Sequence, residues 1–421
     1  MPAQDDITPP RRRRAIWLAA LAVLLVLLAL ALRWVSQPSH VAGLILGQAG
    51  KALGLEITAG SASEYRLRGT PMLVVRDVVA KQPGASTPLL RAQRILMEVP
   101  WATIRAAGDD LTIQRIELDA PQLDIAALQR WQATRPPSET RIPTLTDGVR
   151  IVRGRVIGEG WSVEALDIDL PHLHPDRAAK ARVQGRVDIG TTRVPLVLHA
   201  ALTRPAAGAG LGLSGRVTVE SAPWSIPMQA RLSGRLHDGD DGIGLDRMRM
   251  SAQARYRNGD TDLPFALGLA APLRFRDGTL RLAPLGVAVR SQQTIPTFDA
   301  HGAFALGDTL SMQLEGRMAS WPQDWPALPA PMGQSASPLP FALDYRGRAD
   351  LSDIAALNLQ RDTTTFEGRF RLPVVLDWID AGSQGSPLPP IAGRLTTPRI
   401  DLSGATLEGV EVEFGDDTIT Q

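Results

Sequence analysis

The chain of 421 residues contains no cysteine. A chain without cysteine forms no disulfide, no thiolate nucleophile and no cysteine-ligated metal site, so packing and sheet hydrogen bonds must hold it together. Net charge is nearly absent as well, because 45 Lys and Arg residues balance 44 Asp and Glu residues. Nucleic-acid binding needs a basic surface, so we expect no nucleic-acid partner.

Helical periodicity is scarce beyond residue 55. The 38 glycines and 33 prolines are too many for long helices, and they are spread evenly along the chain. Evenly spread breakers between short runs are typical of a β-rich chain with many turns. One short helix is predicted over 39–54, where Ser39 can cap the start and Gly54 suits the left-handed stop. A helical turn is predicted over 124–131.

One long apolar run lies near the N-terminus. Residues 15–32 carry no polar side chain and follow four arginines at 11–14. At ~1.5 Å per residue the run covers roughly 27 Å, close to one membrane crossing. Arginines stay in the cytoplasm, so the sequence predicts a single-pass anchor with a cytoplasmic N-terminus. The alternative is a cleaved signal peptide ending near 29–31, but its apolar core usually runs only ~7–15 residues.

Alternation of apolar and polar residues dominates the rest of the chain. It is clearest over 183–189, 194–202, 211–219, 228–236 and 248–256. A period of two with one apolar face indicates antiparallel strands covered on one side. About 20 to 25 strands follow from a usual strand length of ~5–6 residues. Hairpin turns are expected at Asp147-Gly148, Asn258-Gly259, Asp277-Gly278 and Gly307-Asp308.

Three segments lack this alternation, namely 131–143, 321–338 and 381–390. Their polar and proline-bearing composition marks them as long surface loops or as boundaries between sheet segments. The resulting division is a cytoplasmic tail over 1–14, an anchor over 15–35, a β region with a short helix over 36–135, a repetitive β region over 136–380 and a C-terminal β segment over 381–421.

Three motifs suggest chemistry, and a simpler interpretation is favoured for each. His172, His174 and Asp176 resemble metal ligands, but flanking prolines and the lack of a third histidine favour a polar turn. Residues 237–242 resemble part of a calcium loop, but their place between two strands favours a hairpin tip. Residues 210–215 match a dinucleotide fingerprint by letters, yet they lie inside an alternating strand. With no nucleophile elbow or triad, we predict no enzyme, no metal and no cofactor.

Several segments carry a family pattern. In order, they are the anchor, the helix end at 50–58, the segments 72–79 and 88–99, the run Leu111-Thr-Ile-Gln-Arg-Ile-Glu-Leu-Asp-Ala-Pro-Gln-Leu-Asp-Ile125, and the segments 391–402 and 407–414. Together they resemble the AsmA family of bacterial envelope proteins, which includes the TamB-like members. The resemblance covers both ends of the chain well, whereas the middle shares only the general pattern of alternating strands. The longer relatives continue where this sequence stops, so a complete C-terminal domain is not expected.

The resemblance implies an elongated, antiparallel-rich β-sheet curled into a groove, anchored in the bacterial inner membrane with its bulk in the periplasm. It also implies handling or transfer of phospholipids between envelope membranes, with membrane lipids and the inner membrane as partners. The alternative is a non-enzymatic structural or assembly factor, such as an accessory subunit of a secretion machine or a regulator of outer-membrane biogenesis. The strand at 407–414 is expected to leave one edge unpaired, where another envelope protein docks.

Candidate lipid-facing positions are apolar members of the alternating segments: Leu196, Leu198, Leu211, Leu213, Met228, Leu232, Met248 and Met250. In a groove these side chains shield acyl chains, each methylene of which costs ~0.8 kcal/mol when left in water. In a sandwich the same side chains pack on a second sheet. Alternation fits both interpretations, and the family resemblance together with the anchor favours the groove.

Overall fold

The computed structural model describes residues 46–47, 50–51, 53–66, 68–106, 111–134, 142–292, 294–322, 328, 332–335, 337–381, 390–402 and 405–415. Within them the chain is mainly β, with one long curled sheet and a few short helices, as predicted. The predicted anchor lies outside these residues. None of the helices in the described part combines the length and apolar content needed to cross a bilayer.

Residues 56–157 form the first eight strands and two short helices. The strands are β1 (Glu56–Arg66), β2 (Met72–Lys81), β3 (Leu90–Glu98), β4 (Thr112–Ile113), β5 (Arg115–Asp119), β6 (Gln122–Asp124), β7 (Thr144–Leu145) and β8 (Val149–Ile157). The helices are α1 (Trp101–Arg105) and α2 (Ile125–Ala133). The predicted turn at 124–131 is confirmed as α2, because the Asp124 carboxylate accepts a 2.7 Å hydrogen bond from the Ala127 amide and caps the helix.

The rest of the chain is a succession of longer strands. They are β9 (Trp161–Leu170), β10 (Ala179–Ile189), β11 (Thr192–Leu202), β12 (Gly210–Ser221), β13 (Trp224–Gly239), β14 (Gly242–Asn258), β15 (Thr261–Arg276), β16 (Thr279–Ser291), β17 (Phe298–Leu306), β18 (Leu310–Met318), β19 (Leu339–Gly347), β20 (Ile354–Arg361), β21 (Thr364–Arg371), β22 (Ile391–Leu402) and β23 (Ala405–Phe414). One further helix, α3 (Leu372–Ala381), precedes β22. The five alternating segments all fall within β10 to β14, which confirms their assignment as strands.

A single sheet of 21 strands contains every strand except β4 and β7, which form a separate parallel pair. From β8 to β23 each strand is antiparallel to the next one in the chain. β5 and β6 lie between β3 and β8 and pair with β8 in parallel, which makes the sheet mixed. Strands of this one sheet lie on both sides of each of the three segments without alternation, so the sheet is continuous across residues 135 and 380.

Three of the four predicted hairpin turns are confirmed. Asp277-Gly278 joins β15 to β16 with φ values of 48° and 75°, as a type I′ turn requires. Asn258-Gly259 and Gly307-Asp308 also lie where antiparallel neighbours meet. The prediction for Asp147-Gly148 was wrong, because β7 before it pairs with β4 and β8 after it pairs with β5, β6 and β9, so the turn does not join two paired strands.

Gly54 ends the first helical segment in the way its sequence predicts. Its φ is 60°, in the left-handed region that glycine adopts at low cost. The Gly54 amide donates to the carbonyl of Lys51 at 3.3 Å, and the Leu55 amide donates to the carbonyl of Gly50 at 2.8 Å. These two bonds form a Schellman motif. The predicted start at Ser39 lies outside the described residues.

Candidate functional site

All eight candidate positions lie on one face of the sheet. Leu213, Leu232 and Met250 are direct cross-strand partners on β12, β13 and β14. Leu198 is the partner of Gly215, which shares the face of Leu213 because it lies two residues further along β12. The other four candidates lie at even spacings from one of these residues on the same strand. The structure therefore brings together the residues that the sequence analysis selected.

Two rows of cross-strand partners cross this face, and we call them together the apolar track. The first row runs from β8 to β19 through Ile151, Ile168, Val183, Leu198, Gly215, Ala230, Ala252, Leu267, Val289, Phe298, Met318 and Leu339. The second row runs from β11 to β23 through Ala200, Leu213, Leu232, Met250, Leu269, Val287, Ala300, Gly316, Phe341, Leu359, Phe366, Leu395 and Val412. At ~4.8 Å per strand, each row is roughly 50 to 60 Å long.

The opposite face carries exposed polar side chains on β12, β13 and β14. Arg216, Gln229 and Gln253 are cross-strand partners there and are all exposed. Each lies one residue away in sequence from an apolar-face residue, because successive side chains of a strand point to opposite faces. Adjacent residues of one strand therefore lie on an apolar and a polar face. A substitution on the apolar face can be compared with the same substitution at a nearby position on the polar face.

Burial divides the apolar track into an open part and a closed part. The open part is β8 to β13, residues 149–239, where the only buried hydrophobic residues are Ala179 and Ala209. The closed part begins at β14, where seven buried residues form one cluster: Leu245, Met248, Ala271, Leu282, Leu285, Ala300 and Leu314. The only other sheet in the described part of the chain is the small β4–β7 pair. A two-sheet sandwich would bury the large apolar side chains of the open part, and here they stay half-buried.

The eight candidates are distributed over both parts. Met248 is 3% exposed and belongs to the buried cluster, while Leu211 and Leu232 pack against that cluster. The remaining candidates are half-buried and lie outside the buried clusters of the described residues: Leu196, Leu198, Leu213, Met228 and Met250. Met248 is therefore a structural core residue, and these five positions are the ones whose side chains remain available for a ligand.

The C-terminal end of the track is covered by residues that the sequence analysis assigned to a surface loop. Met332, in a short 3-10 turn between β18 and β19, is only 1% exposed and packs with Met318, Leu339, Leu359 and Leu395. The interpretation of 321–338 as a surface loop was therefore wrong for Met332. Apolar side chains on β18 to β22 would otherwise be exposed to water, and Met332 of the connecting segment packs over them. No alternation in that segment signalled this burial.

A buried polar group lies beside this apolar end. Arg361 continues the alternation of Leu357 and Leu359 on β20, so its side chain enters the apolar face. Its register partner Thr364 is buried, and the Thr364 hydroxyl lies 3.0 Å from the hydroxyl of buried Thr397. Sequence reasoning missed all three residues. The available signal was an arginine at a position where alternation requires an apolar residue.

The other candidate motifs have the simpler structures predicted for them. Residues 210–215 lie in strand β12, and Asp176 in the turn at 172–176 donates its amide to His174 Nδ1 at 3.1 Å. Residues 240–241 form the tip of the β13–β14 hairpin. Within the described ranges no group of three or more His, Cys, Asp or Glu side chains is placed to hold a metal ion.

Ion pairs surround His237 at that hairpin. His237 Nε2 lies 2.5 Å from Asp241 Oδ1, and Nδ1 lies 3.3 Å from Asp246 Oδ2. Arg274 on β15 donates to Asp241 at 2.7 Å and to Asp246 at 2.6 Å. Hydrogen bonding to Asp241 raises the pKa of His237 above 6.5, and hydrogen bonding from Arg274 lowers the pKa of Asp241 from 3.8 to about 2.

These pKa shifts predict a pH window for the hairpin. The raised pKa of His237 stabilises the fold fully below pH 6.5, and this contribution is lost as pH rises through the raised value. The lowered pKa of Asp241 stabilises the fold above pH 3.8, and this contribution is lost as pH falls toward 2. We expect Asp241→Asn to return the His237 pKa toward 6.5 in an NMR titration. Exposed Asp238→Asn is the control and should leave it unchanged; equal effects of both variants would contradict the assignment.

Comparison with known proteins adds no relative from which a function could be transferred: no protein-family model, curated protein or solved structure matches this chain.

Proposed function

We propose that this protein binds acyl chains of phospholipids on the open part of the apolar track and handles or transfers them between bacterial envelope membranes. The observation that carries the proposal is the open part itself, where large apolar side chains from six consecutive strands stay half-buried. A contiguous apolar surface that the rest of the chain covers only in part is typical of a binding site for an apolar partner. An acyl chain fits this chemistry, since burying each methylene recovers ~0.8 kcal/mol.

The composition of the track suits transfer better than tight binding. Both rows consist of aliphatic, aromatic or small residues, and the open part has no charged member in either row. Apolar contact has no preferred direction, so a chain can move along the rows without breaking fixed hydrogen bonds. The track is also longer than one acyl chain, which extends over about half of the ~30 Å hydrocarbon core of a bilayer.

The proposal includes a location. The arginines at 11–14 and the apolar run at 15–32 support a protein of the AsmA type, anchored in the inner membrane with its bulk in the periplasm. A reporter enzyme that is active only in the periplasm, fused after Gln421, should then be active in the membrane fraction. Release of a soluble form that begins near Leu32 would contradict the anchor.

Photocrosslinking in cells tests the lipid proposal directly. A photoreactive phenylalanine analogue at Leu213, on the open part, should yield adducts with the mass of a phospholipid. The same analogue at Gln229, exposed on the opposite face of the neighbouring strand, is the matched control and should yield none. Lipid adducts of equal yield at both positions would show contact with the membrane in general, and their absence at Leu213 would refute binding on this face.

A second candidate function, an envelope assembly factor, is favoured by the edges of the sheet. Among the described strands, β23 pairs only with β22, and β1 pairs only with β2. An unpaired edge presents rows of backbone donors and acceptors that can bind a strand of another protein. In this candidate function the edge at β23 docks an envelope protein, with or without a bound lipid.

We expect a cysteine at Leu407, which is 47% exposed on β23, to crosslink in cells to a second envelope protein. Leu407 is a better site than Glu411 or Glu413, because Arg394 forms ion pairs with both of those carboxylates at 2.7 Å. The native chain has no cysteine, so each product is site-specific. A cysteine at Arg369, exposed within the interior strand β21, is the control. A Leu407 variant that gives no adduct while lipid adducts still form at Leu213 would refute docking at this edge.

A further inference from the structure

Arg361 places a cation inside the closed end of the apolar track. Its side chain is only 6% exposed at the end of β20. The Nη1 atom donates to the backbone carbonyls of Met332 at 2.8 Å and Ser335 at 2.9 Å. The buried Nε atom has no hydrogen-bond partner, and no carboxylate of the described residues pairs with this guanidinium.

This arrangement fixes the guanidinium and leaves three of its five N–H donors unused. The two carbonyl bonds engage Nη1 and hold the group in place against the Met332 turn. The other edge, formed by Nε and Nη2, makes no hydrogen bond to any residue in the described ranges. That edge carries two parallel N–H donors, the geometry that binds two oxygens of a phosphate or carboxylate. A buried cation without an anion is costly, so an oxyanion ligand would stabilise this site.

The surroundings match an amphiphile. Leu359 lies two residues before Arg361 on the same face, and its half-buried register partner Phe366 packs against the same cluster, as do Phe341 and Val412. Thr364, the register partner of Arg361, begins a short polar row next to these apolar residues. An alkyl chain on the apolar row therefore ends beside a fixed donor edge.

We propose that Arg361 binds the anionic end of a lipid, a phosphate or carboxylate oxyanion, whose alkyl chain lies on the half-buried Phe341, Phe366 and Val412 at the closed end of the apolar track. This inference rests on the proposed lipid-binding function and adds a defined end point to the track. The Nε–Nη2 edge holds the oxyanion, and the Met332 turn holds the guanidinium. The open part selects only for an apolar chain, whereas this end selects for charge.

The test compares ligands that share a 16-carbon chain and differ in the head: hexadecyl phosphate, palmitate and hexadecanol. Their binding to the full chain in detergent is measured by native mass spectrometry. We expect the two anions to bind about tenfold more tightly than the alcohol, since a hydrogen bond to a charged group contributes on that order. Preference for the phosphate over palmitate would identify a phospholipid headgroup as the natural source, and the reverse would identify a fatty acid.

Variants assign the preference to Arg361. In Arg361→Gln the anions should bind about as tightly as hexadecanol, and hexadecanol should still bind. Arg361→Lys should keep only part of the preference for anions over hexadecanol. The matched control is Arg369→Gln. Arg369 is exposed on β21 and points to the face of the sheet opposite the apolar track, so this variant should keep the full preference.

Equal binding of all three ligands to the native protein would overturn the oxyanion site and leave the apolar track intact. Failure of all three to bind would overturn the track as well. Both of these outcomes come from the native chain, so they hold even if a variant does not fold.

Discussion

We expect the full-length protein with Leu198→Glu to stay folded and to lose the lipid that the proposed function assigns to the open part. Leu198 is half-buried in the first row of the open part, between Val183 on β10 and Gly215 on β12. Its side chain can reach water when no ligand is bound, so a carboxylate there does not disrupt the sheet. With an acyl chain bound, the same carboxylate lies against hydrocarbon, where a charge costs about 3 kcal/mol. We therefore expect the amount of phospholipid that co-purifies to fall by at least ~10-fold, and affinity by up to ~100-fold.

The control for this variant is Gln229→Glu, which adds the same charge at an exposed position on the opposite face. We expect wild-type lipid content for Gln229→Glu, measured as phospholipid phosphorus per protein. Circular dichroism and urea unfolding establish that both variants are folded. If Leu198→Glu unfolds and Gln229→Glu does not, Leu198 is an ordinary core residue, and the track is not a lipid site.

We expect Leu339→Ala to destabilise the closed end of the sheet by about 2–5 kcal/mol, the usual cost of removing a buried leucine side chain. Leu339 is 0% exposed and packs with Met332, Leu359 and Leu395, where β18 to β22 meet the Met332 turn. The truncation leaves a cavity that β-sheet neighbours cannot fill, because their backbones are held by cross-strand hydrogen bonds. We expect a clear decrease in the urea midpoint of the transition that includes β19.

The control is Leu407→Ala, the same substitution at a position that is 47% exposed on β23. Its expected change in the free energy of unfolding is within about 0.5 kcal/mol, as for most surface substitutions. A similar loss of stability in both variants would show that the cluster around Met332 is not a tightly packed core.

The strands and the apolar face could be predicted because they depend on local patterns. Alternation with a period of two places side chains such as Leu213 and Leu232 on one face in any β-sheet, whatever the sheet packs against. Turn residues act locally too, so Asp277-Gly278 joins β15 to β16 as expected. Asp147-Gly148 does not form a hairpin, because β7 before it pairs with β4 and β8 after it pairs with β5, and such long-range pairings are not encoded in the local turn residues.

The sequence alone determined a cysteine-free β-rich chain with one alternating apolar face, and the tertiary structure decided what covers that face. Leu198 and Met248 follow the same alternation, yet Leu198 is half-buried and Met248 is 3% exposed. The difference arises because the curl of the sheet brings β14 to β18 into one cluster and leaves β8 to β13 open. Arg361 and Met332 meet for the same reason, since residues 29 positions apart contact only when the connecting segment folds over the sheet. Burial depends on contacts between distant segments, and a local pattern carries no information about them.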